Sequence, residues 1–284
     1  MHTPFTQTHI ETEAGALPAR LYGGGAKRAA PLVLYLHGGA FTDGTLECGA
    51  VVASLLAQAG AVVVSIEYPL ACEHPFPYAL TAAYAALCAL HRLRGSFAGK
   101  ASRLFVAGEQ AGGNLAAGLA MMARDQQAPP LAGQILMSPM LDPCLATASA
   151  RQADAGVAGC RWADGWQKYL GSADKGAHPY AAPLTSARLA GLAPALVVSA
   201  QDDPMRDESV RYARALAQAG VPVTLEVLPP TGCRRPDETQ DAAGAAGPAP
   251  AMPLPALADA LRALFAGFLE SAWVRRQAAA SPVL

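Results

Sequence analysis

Short apolar runs of strand length recur along the chain, at Leu32–Leu36, Val62–Ile66, Leu104–Ala107, Gln134–Met137, Leu196–Ala200 and Thr224–Leu228. They lack the polar alternation of a strand with one wet face, so they read as strands covered on both sides. Between them lie stretches of helical length and spacing, Ala50–Ala59, Tyr78–Leu93, Asn114–Arg124 and Asp207–Ala219, with Gly60 and Gly220 placed as carboxyl-terminal stops. This alternation predicts an α/β fold with a mostly parallel central sheet and helices on both faces. Two further strands, Thr6–Glu13 and Leu17–Tyr22, flank a turn at Gly15. Residues 142–191 show no clear strand and are expected to lie over the sheet as a partial cap. Residues 233–254, rich in Pro, Ala, Gly and Asp, read as a surface loop ahead of a last helix at about Pro255–Trp273. There is no internal repeat, and residues 1–284 are expected to form one α/β domain.

Charge and cysteine usage narrow the classes of partner. With 21 basic and 22 acidic residues the formal net charge is -1, which gives no electrostatic reason to expect nucleic acid or an anionic membrane surface. The six cysteines are scattered, with no C-x-x-C pair and no Cys/His cluster at zinc spacing, so neither a metal site nor a disulfide framework is expected. No cofactor motif is present. No apolar run approaches the length of a membrane helix, and Met1-His2-Thr3-Pro4-Phe5 lacks the basic and apolar regions of a leader, so the expectation is a cytoplasmic protein.

Ligands of open α/β sheets bind beyond the carboxyl ends of the strands, and three distinctive segments fall at such ends. After Leu104–Ala107 comes Gly108-Glu109-Gln110-Ala111-Gly112-Gly113, the pattern of a nucleophile elbow with Gln110 where a serine is expected. A carboxamide is neutral and a poor nucleophile. After Leu32–Leu36 comes His37-Gly38-Gly39-Ala40-Phe41. Its glycines suit an oxyanion hole formed by the N–H groups of Gly38 and Gly39 and completed by Ala111, or simply a turn that redirects the chain. After Leu196–Ala200 comes Asp202-Asp203-Pro204-Met205-Arg206-Asp207-Glu208, where a carboxylate either fixes the tautomer of a histidine or caps the following helix. Asp203 is assigned the first role and Asp207 the second.

These segments resemble the hormone-sensitive-lipase-like family of bacterial carboxylesterases, within the α/β-hydrolase superfamily. The resemblance also rests on Glu67-Tyr68-Pro69-Leu70-Ala71-Cys72-Glu73-His74-Pro75-Phe76-Pro77, similar to the family's Y-R-L-A-P-E-H-P-F-P, and on His178-Pro179-Tyr180-Ala181-Ala182-Pro183-Leu184. It runs from residue 17 to residue 230 and implies the α/β-hydrolase fold, the oxyanion-hole assignment and the triad slot of Asp203. It also implies that Glu109 points away from the nucleophile's place and that His37, His74 and His178 are structural.

Three departures stand beside the agreement. Gln110 fills the serine slot. No histidine follows His178, and Cys233 falls near the histidine slot, either as a substitute group or as an ordinary loop thiol. The amino terminus enters its strands at once and lacks the family's helical cap segment, which implies a reduced cap. The expected function is a degenerate hydrolase whose pocket holds a small acyl, carbonyl or carboxylate ligand. The alternatives are an esterase with an unrecognised nucleophile, and an interaction protein or homodimer that uses the edge strand Thr224–Leu228.

Overall fold

A computed structural model describes residues 3–13, 15–24, 29–153, 157–230 and 257–280, with the side chains of 153–160 and 273–280 excepted. The strands are β1 (Phe5–Thr12), β2 (Gly15–Tyr22), β3 (Leu32–Leu36), β4 (Val62–Ile66), β5 (Leu104–Glu109), β6 (Leu131–Met137), β7 (Ala195–Ala200) and β8 (Val223–Leu228). The helices are α1 (Ala50–Gln58), α2 (Tyr78–Phe97), α3 (Ala111–Asp125), α4 (Ala148–Ala153), α5 (Val157–Leu170), α6 (Arg206–Gln218) and α7 (Ala258–Ala280), with 3₁₀ turns at Ala173–Ala177 and Pro183–Thr185.

The strands form one sheet in the order β1-β2-β4-β3-β5-β6-β7-β8. From β4 to β8 every pairing is parallel, whereas β2 pairs antiparallel with both β1 and β4. Side-chain alternation divides the core into two. Leu32, Leu34, Leu36, Val106 and Val197 pack with residues of α2, α3 and α6, and Val33, Tyr35, Phe105, Ile135 and Val198 pack with residues of α1 and α7. Burial on both faces is why these runs carry no polar alternation. Gly60 and Gly220 sit at φ 95° and 80°, as expected of residues that end helices.

The differences from the pattern-based expectation are local. Helix α3 starts at Ala111, three residues before the expected Asn114. Gly112 and Gly113 weaken a helical pattern, yet both lie in the helix's first turn and permit its close approach to the sheet. Helix α2 continues past Leu93 to Phe97, through Arg94, Gly95 and Ser96, which carry no apolar period. The stretch 142–191 holds helices and 3₁₀ turns and no described strand, and β8 lies at one end of the sheet. No described helix is long and apolar enough to cross a membrane.

Candidate functional site

Gln110 follows β5, with the loop after β3 and the end of β6 against it. This residue has φ 49° and ψ -115°, a backbone conformation that side-chain-bearing residues adopt only under constraint. The constraint is a set of hydrogen bonds: its N–H donates to Met137 O at 3.0 Å, and its carbonyl accepts from Asn114 N at 3.0 Å and Met140 N at 3.1 Å. The flanking glycines allow the turn. A Cβ on Gly108 would stand 2.2 Å from Gly112 O, and one on Gly112 would stand 2.1 Å from Leu36 O. The strand-to-helix elbow therefore exists in full, with a half-buried carboxamide at its tip.

The loop after β3 lies against that tip. A Cβ on Gly38 would meet Gln110 Oε1 at 3.2 Å and Gln110 Cβ at 3.4 Å. Gly39, Ala40 and Phe41 all take positive φ, at 125°, 50° and 66°. Thr42 and Asp43 both donate backbone N–H bonds to Gly39 O, which closes the loop tightly. Beneath it His37 is fully buried, with Nδ1 2.7 Å from Gly38 O and its ring stacked 4.4 Å from Tyr68, whose hydroxyl donates to His37 O at 2.8 Å. Burial lowers the imidazole pKa, so a neutral ring donates from Nδ1 to the Gly38 carbonyl. Ala111, first residue of α3, has a backbone N–H with no acceptor inside its helix.

Glu109 turns to the other side of the elbow. Its Oε1 accepts from Tyr35 Oη at 2.6 Å, and burial raises its pKa to about 7, with the Tyr35 hydroxyl and the Gly38 amide restraining the rise.

At the end of β7, Asp203 Oδ2 accepts from Ser138 Oγ and its Oδ1 accepts from Met205 N at 2.7 Å. Desolvation raises its pKa, and these donors oppose the rise. Ser138 follows β6 at φ 44° and is fixed by its own N–H bond to Val198 O at 2.8 Å. The capping role expected of Asp207 is corrected. The N-cap of α6 is Met205, without a side-chain cap, and Asp207 Oδ2 instead accepts Ser149 N at 3.0 Å near the start of α4. Glu208, fully buried, receives the N–H groups of Leu141 and Asp142 at 2.7 and 3.1 Å, and burial pushes its pKa up to about 7.

Asn114 donates to Met140 O and Ala181 O, which ties α3 to the His178–Leu184 segment. His74 lies beside Tyr78, and His178 Nδ1 accepts Tyr180 N at 3.1 Å, so both have local partners. Helix α5 covers the loop: Phe41 stacks on Tyr169 at 4.0 Å and meets Trp166 at 5.0 Å. Cys233 lies outside the described residues. Cys48, Cys72, Cys88 and Cys144 are free thiols, and among the described residues no cluster of His, Cys, Asp and Glu is arranged to hold a metal.

Ser138, Tyr35 and Glu208 were not singled out from sequence. Ser138 had a legible signal, a Ser-Pro pair directly after an apolar strand, at the end where ligands bind. Tyr35 had none, because a phenol inside an apolar run reads as core.

A family model described as alpha/beta hydrolase fold matches residues 33–232. The chain is 37% identical over 237 residues to the carboxylic ester hydrolase LipN of Mycobacterium tuberculosis, covering 80% of this chain and 63% of that protein. It is 37% identical over 220 residues to the carboxylesterase NlhH of the same species, covering 75% and 69%. The match thus spans about two thirds of the length of these relatives. Among solved structures, esterase LipW from Mycobacterium marinum superposes with a TM-score of 0.80 at 34% identity, over 95% of this chain and 82% of that one. EstE1, a carboxylesterase cloned from a metagenomic library, gives 0.79 at 28% identity, over 95% and 90%. With the elbow, the glycine loop and the acid at the end of β7 in one arrangement, the chain belongs to the hormone-sensitive-lipase-like carboxylesterase family of the α/β-hydrolase superfamily.

Proposed function

We propose that this protein binds a small carbonyl or carboxylate compound in a hydrolase-type pocket without cleaving it. The observation that carries this reading is Gln110, a carboxamide held at the tip of an intact elbow at φ 49° and ψ -115°. In this reading Gln110 takes the serine slot, Asp203 keeps the acid slot and Cys233 stands near the vacated histidine slot. Gly38, Gly39 and Ala111 supply the N–H donors, with Gly38 lying against the Gln110 side chain.

The magnitudes favour binding. Loss of a catalytic serine or histidine removes about 10⁶ in turnover from a serine hydrolase and leaves only binding and oxyanion stabilisation. Those residual interactions hold a carbonyl oxygen by ordinary hydrogen bonds and a carboxylate oxygen by stronger, charge-assisted ones. Gln110 adds two donors and an acceptor beside them.

Calorimetry with a panel of small carboxylates and acyl amides, on the wild type and on Gln110→Ala, tests the reading. Micromolar to millimolar binding that weakens in the variant supports it, and absence of binding across the panel overturns it. The naming of the relatives as ester hydrolases favours a second reading, an esterase with an unrecognised nucleophile. Hydrolysis of p-nitrophenyl acetate that disappears in Cys233→Ala or Asp203→Ala would establish that reading instead.

A further inference from the structure

We propose a second ligand site, unconnected with Gln110, in which a cationic cleft at the amino ends of β5, β6 and β7 takes a small phosphate monoester with an apolar body. The cleft encloses about 460 Å³ and lies between the last turns of α2, the starts of those three strands and Ala272 of α7. Parallel strands put this end of the sheet opposite the elbow, so occupancy here does not compete with the pocket proposed above.

The walls have one sign of charge. Among the described residues, His91, Arg94, Lys100 and Arg103 line the cleft and no Asp or Glu does, in a chain whose overall charge is close to neutral. Arg103 is engaged with α7 through Ala272 O, so the free charge rests on Arg94 and Lys100. Neither forms a salt bridge with a described carboxylate. Arg94 is also pinned: its Nε donates to Lys100 O at 3.2 Å and its Nη1 to His91 O at 2.6 Å. These bonds, one to a carbonyl within α2 and one to the loop that follows it, fix the guanidinium plane. The remaining guanidinium N–H groups and the exposed Lys100 ammonium are then available to phosphate oxygens, a fork paired with a point charge. His91 is held below the usual imidazole range, first by burial and then by Arg94, so it enters as a neutral hydrogen-bonding ring.

Apolar lining sets the rest of the ligand. Pro130, Leu131 and Pro194 line the cleft beside the cations. The volume falls within the range of small-molecule sites, about 300 to 1,000 Å³. A bare inorganic ion would leave that surface uncovered, whereas an aromatic or short aliphatic phosphate monoester covers it.

Titration calorimetry of the full chain with phenyl phosphate, inorganic phosphate and phenol tests the assignment. Phenyl phosphate is expected to bind, inorganic phosphate more weakly, and phenol not at all, with affinity falling as salt is raised. Arg94→Gln is expected to weaken phenyl phosphate at least tenfold and Lys100→Gln several-fold. Lys100 is exposed, so its variant tests the charge without disturbing the fold. Gln110→Ala is expected to leave this binding unchanged. Absence of phenyl phosphate binding at millimolar concentration, binding that both cation variants retain, or binding lost in Gln110→Ala would each overturn the proposal.

Discussion

The hydroxyl of Ser138 donates to Oδ2 of Asp203, so the acid at the end of β7 is held by the residue that follows β6. With Met205 N on Oδ1, both carboxylate oxygens are satisfied by neighbours within the fold and no histidine is needed to hold them. Ser138→Ala removes one of these donors and leaves a desolvated carboxylate with a single strong partner. A hydrogen bond to a charged group is worth about 1.5 to 3 kcal/mol, so the variant is expected to lose stability in that range. Urea denaturation at pH 7 measures it, and an unchanged midpoint would show that the pair contributes nothing.

Glu109 and Glu208 give the protein an unusual dependence on pH. Each is buried and each has its pKa raised to about 7, against an ordinary carboxyl value of 4.5. The folded state therefore binds protons more tightly than the unfolded state between those values, and stability falls as pH rises through the window. The contribution is fully present below about pH 4.5 and lost above about pH 7, with about 3 kcal/mol as the upper scale for each group. Glu109→Gln is expected to flatten the part of the slope due to that site, since an amide keeps the Tyr35 contact without ionising. Denaturant midpoints at pH 5, 6, 7 and 8 for the wild type and the variant provide the check, and a parallel pair of curves would remove Glu109 from the account.

Much of this arrangement was legible in the order of residues. The buried strands fell within a few residues of their observed ends because period and burial agree there. The elbow and the loop after β3 announced themselves through glycines whose Cβ atoms would strike backbone, as at Gly112 against Leu36 O. The hidden parts depend on which partner a polar group finds in space. Asp207 has the sequence position of a helix cap, yet it faces Ser149, a residue 58 positions away. Glu208 looks like a surface acid of an amphipathic helix until Leu141 and Asp142 are seen to donate to it. Helix α4 is too short and too rich in small residues to show a period, whereas in α5 Trp162, Trp166, Tyr169 and Leu170 do fall at helical spacing and mark one buried face.

Gln110 stores strain that glycine would relieve. Side-chain-bearing residues in such backbone regions cost about 1 to 3 kcal/mol, and glycine occupies them freely. Gln110→Gly is therefore expected to raise stability by about 1 kcal/mol, after allowance for glycine's greater freedom in the unfolded chain. The same substitution removes the carboxamide and is expected to weaken carboxylate binding at least several-fold. Thermal unfolding and calorimetry on one preparation read both effects. A variant that is both less stable and equally able to bind would deny Gln110 a functional reason for its strain.

The loop after β3 owes its shape to α5 as well as to its own glycines. Gly165 packs so closely that a Cβ there would stand 2.2 Å from Ala40 O and 3.1 Å from Ala40 C, both backbone atoms that no rotamer change can move. Gly165→Ala must therefore push α5 away from the loop and separate the Phe41–Tyr169 stack and the Phe41–Trp166 contact. Overpacking of this kind costs about 1 to 3 kcal/mol. A control of opposite sign lies in α7, where a Cβ on exposed Gly267 would meet nothing within 4 Å. Gly267→Ala is expected to gain roughly 0.5 to 1 kcal/mol from helix propensity alone. Tryptophan fluorescence should shift in the first variant and not in the second, and carboxylate affinity should fall only in the first. Equal stability in both variants would mean that α5 rests on the loop without shaping it.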